Sequence, residues 1–432
     1  MKIAIIGYGL EGQAAYNYWD DGHGITICDQ NAELELPAGV SAQLGDDYLA
    51  NLGEFDIIVR SPHVHPAQLV AAAGEAILSK VTSNTNEFLR VCPTKNIIGV
   101  TGTKGKGTTS TLIAELLRAG GKTVHLGGNI GVPALDLLRA GIKPTDFVVL
   151  ELSSFQLIDL RSSPQMAVCL MVAPEHLDWH DDFEEYVAAK QQLFIHQSES
   201  DIAVYYAADE TSTSVADASV GQLLPYYEAP GAQVLNDAVV IDDQVICQTD
   251  ELQLLGRHNW QNVCAALTVT WQYTQDLAAT RAVLTSFAGL PYRLEFVRDL
   301  DGVRYYNDSF GTTPETAIVA MQAFAEPKVI ILGGSDKGAS YGDLAQVVIA
   351  SHVRCAVLIG EQAWRIQASL EAAGFTDFIL GGETMKDIVE HAQKSAQPGD
   401  VVLLSTACAS FDLFINYKDR GAQFTSTVQE LV

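Results

Sequence analysis

Apolar residues recur along the chain in short uninterrupted runs separated by segments of helical spacing. That alternation predicts three α/β units in tandem. In the first unit the runs fall at 2–6, 24–28, 55–59 and 76–81. In the second, strands are predicted at 97–101, 122–126, 146–151, 166–172 and 202–206, with helices at 110–119 and 183–194. Two β-like stretches around 234–247 read as a hairpin insertion, followed by helices at 259–273 and 277–287. The third unit opens with two runs about the turn signal Asp301-Gly302 and continues with strands at 328–332, 354–359, 376–380 and 400–405. Such runs suit parallel sheets covered by helices on both faces. The predicted class is therefore α/β in three domains: a Rossmann-like 1–93, a central 94–291 with the parallel or mixed sheet of a P-loop ATPase, and a Rossmann-like 292–432. The first boundary falls at the linker-like Val91-Cys-Pro-Thr-Lys95.

The run at 97–101 breaks into Gly102-Thr-Lys-Gly-Lys-Gly-Thr-Thr109, a stretch suited to holding phosphate. Gly102, Gly105 and Gly107 let backbone N–H groups face an anion, Lys106 adds a point charge, and a helix opening near Thr108 adds its positive end. The spacing departs from a plain Walker loop, because Gly107 follows the lysine and the hydroxyls come one residue later. The first strand is followed by Gly7-Tyr-Gly-Leu-Glu-Gly12, and Asp29 ends the second, which is the dinucleotide-binding pattern. A tight strand-to-helix turn would carry the same glycines. A second phosphate loop so close downstream favours a nucleotide-linked substrate over a nicotinamide or flavin.

Other polar residues gather after strands. Glu151 ends a strand as a Walker B carboxylate would, near the loop hydroxyls, although strand-terminal glutamates are common. His176, in Ala173-Pro-Glu-His-Leu-Asp-Trp-His180, also follows a strand and is a candidate for a metal or a phosphate. On spacing alone Lys190 reads as a solvated helix cation. Asn259 and Asn262 stand three apart at a helix start, where amides could meet a base or phosphate, while capping would explain only Asn259. In the last unit Asn307-Asp-Ser309, Leu332-Gly-Gly-Ser-Asp-Lys-Gly338 and Leu404-Ser-Thr-Ala-Cys-Ala-Ser-Phe-Asp412 each follow a strand. Three polar loops on one sheet make a site.

Charge narrows the partners. With 26 basic against 53 acidic residues the net charge is −27, which argues against general binding of nucleic acid or anionic membranes. The seven cysteines form no Cys-x-x-Cys pair and sit mostly in apolar runs, the pattern of buried thiols in a reducing compartment. No signal-peptide pattern and no apolar run near about 18 residues is present, so the prediction is a cytoplasmic protein without membrane insertion.

Taken together, Thr101-Gly-Thr-Lys-Gly-Lys106, Gly127-Gly-Asn-Ile-Gly131, Glu151-Leu-Ser-Ser-Phe-Gln156, Glu175-His-Leu-Asp178, Gly256-Arg-His-Asn259, Asn307-Asp-Ser309, Leu332-Gly-Gly334, Asp336-Lys-Gly338 and Ala407-Cys-Ala-Ser-Phe-Asp412 resemble, in order and over nearly the whole chain, the Mur ligases of peptidoglycan synthesis. The resemblance implies a monomeric ATP-dependent ligase that activates the alanyl carboxylate of UDP-N-acetylmuramoyl-L-alanine as an acyl phosphate, which the amine of glutamate then attacks. It implies that Gly7, Gly9, Leu10, Gly12, Asp29, Ser61 and Ser153 hold the UDP-linked substrate, with Asn129 facing its muramoyl part. ATP would lie on Gly102, Thr103, Lys104, Gly105, Lys106, Gly107, Thr108 and Thr109, with Asn259, Asn262, Arg293 and Asp308. Thr108 and Glu151 would hold one Mg²⁺ and His176 a second, bridged by a carbamate on Lys190; Lys106, Glu151, His176 and Lys190 form the catalytic set. Thr312, Lys337, Ser410 and Tyr417 would take the glutamate. Three positions depart from the family pattern: Lys104 stands for the usual Asn, Gly107 for Ser or Thr, and Phe310 for a Lys. The glycine loop is closer to that of folylpolyglutamate synthases, which lack the first domain. Phe310 leaves the added amino acid open between D-glutamate, L-glutamate and another, and the altered loop leaves room for a non-catalytic ATP-binding scaffold.

Overall fold

The computed structural model describes residues 1–432 apart from Asp21, Leu255, Lys337 and Val432. Its chain forms two compact units, Met1–Glu251 with Trp260–Thr285, and Leu252–Asn259 with Ser286–Val432.

The first unit carries three sheets. In the first, β1 (Lys2–Ile6), β2 (Gly24–Asp29), β3 (Ser41–Leu44), β4 (Ile57–Arg60) and β5 (Val81–Thr82) lie in the order β3-β2-β1-β4-β5, all parallel. This is the doubly wound arrangement, in which ligands meet the carboxyl ends of the strands where the order reverses, here at β1 and β4. The second sheet holds β6 (Ile97–Thr101), β7 (Val124–Gly128), β8 (Phe147–Glu151), β9 (Met166–Cys169), β10 (Ile202–Tyr206) and β11 (Gln222–Tyr226) in the order β11-β10-β9-β6-β8-β7. It too is wholly parallel, and β6, β8 and β9 are buried along their whole length. One apolar cluster runs from Ile3 and Ile5 through Phe88 and Ile97 to Val148, Leu150 and Tyr186, so the two sheets share a core.

The insertion is a three-stranded meander, β12 (Gln233–Leu235), β13 (Ala238–Ile241) and β14 (Gln244–Gln248), rather than the expected hairpin. Asn236-Asp237 and Asp242-Asp243 all have positive φ, between 47 and 60°, and make two tight turns instead of one. The run at 76–81 is mostly a 3₁₀ segment, Glu75–Lys80, and only Val81–Thr82 pairs as strand. Only Ile77 of that segment is buried, so its apolar residues never form a sheet face. The expectation passed over β3, an edge strand of sequence Ser-Ala-Gln-Leu with no buried residue.

In the second unit β15 (Glu295–Leu300), β16 (Val303–Asn307), β17 (Lys328–Gly333), β18 (Val353–Ile359), β19 (Phe378–Leu380) and β20 (Val401–Leu404) are ordered β15-β16-β20-β17-β18-β19. The sheet is parallel except for the β15–β16 hairpin, which turns at Asp301-Gly302. All seven cysteines are free and buried.

Candidate functional site

The glycine loop leaves β6 at Gly102, whose φ of 138° only glycine holds easily, and closes at Gly105, whose φ is 86°. A Cβ on Gly105 would lie 2.2 Å from Asn262 Oδ1, and one on Gly102 would lie 2.6 Å from Leu170 Cβ. The helix then opens at Lys106, four residues earlier than its apolar pattern predicts, because left-handed Gly105 serves as its N-cap. The N–H groups of its first turn therefore belong to Lys106, Gly107 and Thr108.

Two ammonium groups converge on this turn. Lys106 Nζ donates to Gly102 O at 3.0 Å and Thr103 O at 2.8 Å, and Lys190 Nζ donates to Gly102 O at 3.0 Å. Lys190 is 1% exposed and lies over the Tyr186 ring at 4.2 Å, so the solvated-cation reading of its helix, Phe183–Gln191, does not hold. Burial, with the Lys106 charge beside it, pulls the Lys190 amine down to about 7.

Thr108 is buried in the first helical turn, and Thr109 donates to Asn262 Oδ1 at 3.3 Å. The Thr103 hydroxyl is taken up structurally, by Ala173 O and Tyr186 Oη, each at 2.9 Å. Lys104 projects from the loop and pairs with Glu175. Glu151 ends β8, next to β6, and accepts from Asn129 Nδ2 at 2.7 Å. Ser153 caps the short helix Ser154–Leu157 in a capping box with Gln156. His176 has a φ of 60° and its ring stands 4.8 Å from Phe155; burial holds its imidazole below the usual histidine range. The helix carrying Asn259 and Asn262 starts at His258, so Asn259 lies inside it and does not cap it.

The first sheet builds a second cradle. Gly7 turns with a φ of 83° and Tyr8 N donates to Asp29 Oδ2 at 2.7 Å, while Asn31 N takes the other carboxylate oxygen at 2.8 Å. A Cβ on Gly12 would strike Gly7 O at 2.0 Å, whereas Gly9 has open space and Leu10 is exposed. Ser61 Oγ donates to Gly7 O at 2.8 Å. Pattern reading did not single out the polar set behind this cradle: Gln156 Nε2 donates to Glu11 Oε1, and buried Arg60 holds Asp159. A lone arginine closing the apolar run Ile57-Ile-Val-Arg60 was the available signal.

The second unit gathers the remaining candidates except Lys337, which lies outside the described residues. Asp308 is buried beside Ser405 Oγ (2.6 Å) and Leu294 N (3.2 Å), and burial pushes its carboxyl up to about 7. Arg293 lies over the Phe310 ring at 3.9 Å, and Tyr417 meets that ring edge-on at 5.1 Å. Fully buried Arg420, also missed, donates to Ser309 Oγ, Ser309 O and Cys408 O, binding the loops after β16 and β20. Ser410 is buried on the second of these loops, and Thr312 lies on the first.

Residues 100–270 match the model of the Mur ligase middle domain, and residues 292–408 that of the Mur ligase glutamate ligase domain. Over its full length the chain is 37% identical to the UDP-N-acetylmuramoylalanine–D-glutamate ligase of Symbiobacterium thermophilum and 34% identical to that of Clostridium tetani, covering 98% and 97% of those proteins. Its fold is similar to that of MurF ligase from Thermotoga maritima in complex with ADP, with a TM-score of 0.60 at 18% identity over 99% of this chain and 94% of that one.

Proposed function

The chain belongs to the Mur ligase family, and from that premise we infer that it uses ATP to join D-glutamate to UDP-N-acetylmuramoyl-alanine in peptidoglycan precursor synthesis. A free carboxylate resists attack by an amine, so it must first become an acyl phosphate. The γ-phosphoryl group passes from ATP to an alanyl carboxylate oxygen, releasing ADP. The glutamate amine then adds to the acyl carbon, loses a proton, and the tetrahedral intermediate expels phosphate.

In this reading the Gly102–Thr109 loop and the helix opening at Lys106 bind the β- and γ-phosphates, and Lys106 offsets the charge gathered where the phosphates meet the substrate carboxylate. Asn262, set against Gly105, orients the nucleotide, and Asn259, Arg293 and Asp308 are assigned to the same ligand. Gly7, Gly9, Leu10, Gly12, Asp29 and Ser61 hold the uridine diphosphate, Asn129 and Ser153 the muramoyl group, and Thr312, Lys337, Ser410 and Tyr417 the glutamate.

The donor set fits Mg²⁺, which takes few protein ligands and completes its shell with phosphate and water. Thr108 and Glu151 would hold one ion and His176 a second, and bound Mg²⁺ would supply charge neutralisation between phosphate and carboxylate. Lys190 suits a carbamate because burial brings its amine down to about 7, so that about half of it is neutral at that pH. Glu151 accepts from Asn129 Nδ2, which orients that carboxylate. We further assign domains at 1–93, 94–291 and 292–432, and a monomeric enzyme acting in the cytoplasm. Among the described residues no helix is long and apolar enough to cross a membrane.

The observation that carries this reading is the pair Lys106 and Lys190 on one glycine-loop carbonyl, at the end of the sheet where Glu151 also stands. Phosphate release with ATP, Mg²⁺, UDP-N-acetylmuramoyl-alanine and an amino-acid panel tests it, with products read by mass spectrometry. D-glutamate should give product and L-glutamate none. ATP binding without release for any amino acid would leave only a scaffold.

A further inference from the structure

Arg60 ends β4 and is 1% exposed, yet every nitrogen of its guanidinium is engaged. Nε and one terminal nitrogen form a bidentate pair with Asp159, at 2.9 and 2.7 Å, and the latter nitrogen also reaches Phe155 O at 2.9 Å. The other terminal nitrogen donates to three carbonyls of the loop that follows: Ser61 O and Pro62 O at 3.2 Å, and Val64 O at 2.9 Å. A planar fork with five donors suits this task, and a lysine has neither the reach nor the geometry.

The loop Arg60 shapes has two outputs. Ser61 N donates to Ile6 O at 2.9 Å and Ser61 Oγ to Gly7 O at 2.8 Å, which fixes the glycine turn of the first sheet. His63 O accepts from Trp179 Nε1 at 3.0 Å, and the His63 ring meets Phe155 edge-on at 5.7 Å. Trp179 N in turn donates to His176 O at 3.1 Å. One buried side chain thus sets the register between the glycine turn of the first sheet and the His176 segment of the second.

The geometry points to Arg60, oriented by Asp159, as a positioning residue that fixes the distance between the uridine diphosphate cradle and the reacting carboxylate. This rests on the proposed ligase function. Arg60→Met alone would leave the partly buried Asp159 carboxylate without its partner, so the double variant R60M/D159L, which removes both charges, is the version to measure beside R60K and D159N. Expected is a rise of about tenfold in KM for UDP-N-acetylmuramoyl-alanine in R60M/D159L, on the scale of a few lost hydrogen bonds, with KM for ATP within about twofold of wild type. R60K should give no rescue, and D159N, which keeps the three carbonyl bonds, a smaller rise of about threefold. Unchanged KM for the UDP substrate, equal rises in both KM values, or full rescue by R60K would overturn the proposal. Wild type lacking any turnover would instead sink the ligase reading. Hydrogen exchange at residues 61–64 still decides Arg60 in that case: faster exchange in R60M/D159L supports the positioning role, and wild-type protection refutes it.

Discussion

Lys190 gives the sharpest test. An ordinary lysine, with a pKa of 10.5, is roughly 0.3% neutral at pH 8, whereas one at about 7 is roughly 90% neutral. Burial therefore raises the fraction of amine able to take up CO₂ by about 300-fold at that pH. Between pH 8 and pH 6 the neutral fraction falls from about 0.9 to about 0.1, so carbamate and any activity that depends on it should fall about tenfold or more. The assay is initial rate at pH 8 in CO₂-depleted buffer, with and without added bicarbonate. It is paired with ¹³C NMR of protein equilibrated with labelled bicarbonate. Depletion should lower the rate at least about tenfold, bicarbonate should restore it, and one carbamate resonance should be present in wild type and missing in Lys190→Met. Full activity after exhaustive depletion, with no such resonance, would refute the argument. The sign of the stability effect is also fixed. Since the folded amine holds its proton less tightly than the unfolded one, the penalty is complete below about pH 7 and fades as pH rises towards 10.5, a slope that Lys190→Met should lack.

Gly105→Ala places a Cβ 2.2 Å from Asn262 Oδ1 at a φ of 86°, so it should cost about 1–3 kcal/mol in urea unfolding and weaken ATP binding by calorimetry. Gly9→Ala, with nothing within 4 Å, should leave stability unchanged. Lys106→Ala should cut turnover by about 10³-fold or more while circular dichroism stays native, and retained turnover would remove Lys106 from the mechanism. Asp308, pushed up to about 7, binds its proton more tightly folded than unfolded. Stability should fall as pH rises from about 4 through 7, by about 2–3 kcal/mol between pH 5 and 8, and Asp308→Asn should flatten that dependence in denaturant titrations.

How much of this was legible beforehand differs by residue. The strands predicted at 97–101 and 146–151 show an apolar run without alternation because both of their faces are covered, and the structure has them as β6 and β8 within a residue. The glycine loop was legible because only glycine tolerates the φ at Gly102 and Gly105. The Asn236-Asp237 and Asp242-Asp243 turns were also legible in principle, since those residues adopt positive φ readily, yet the hairpin reading merged them. By contrast β3 has no apolar face to announce it.

Local order and residue type were thus determined by the sequence itself: alternating βα units, phosphate-type glycine turns, polar residues at strand ends, and motifs that together marked the family. Only the tertiary structure decided that Lys190 is a buried amine on Gly102 with a lowered pKa and not a surface cation, that the Thr103 hydroxyl faces Tyr186, and that Arg60 meets Asp159 across 99 residues of chain. The reason is physical. Backbone preference and strand periodicity act over a few neighbouring residues, whereas burial and charge depend on what the rest of the chain brings alongside.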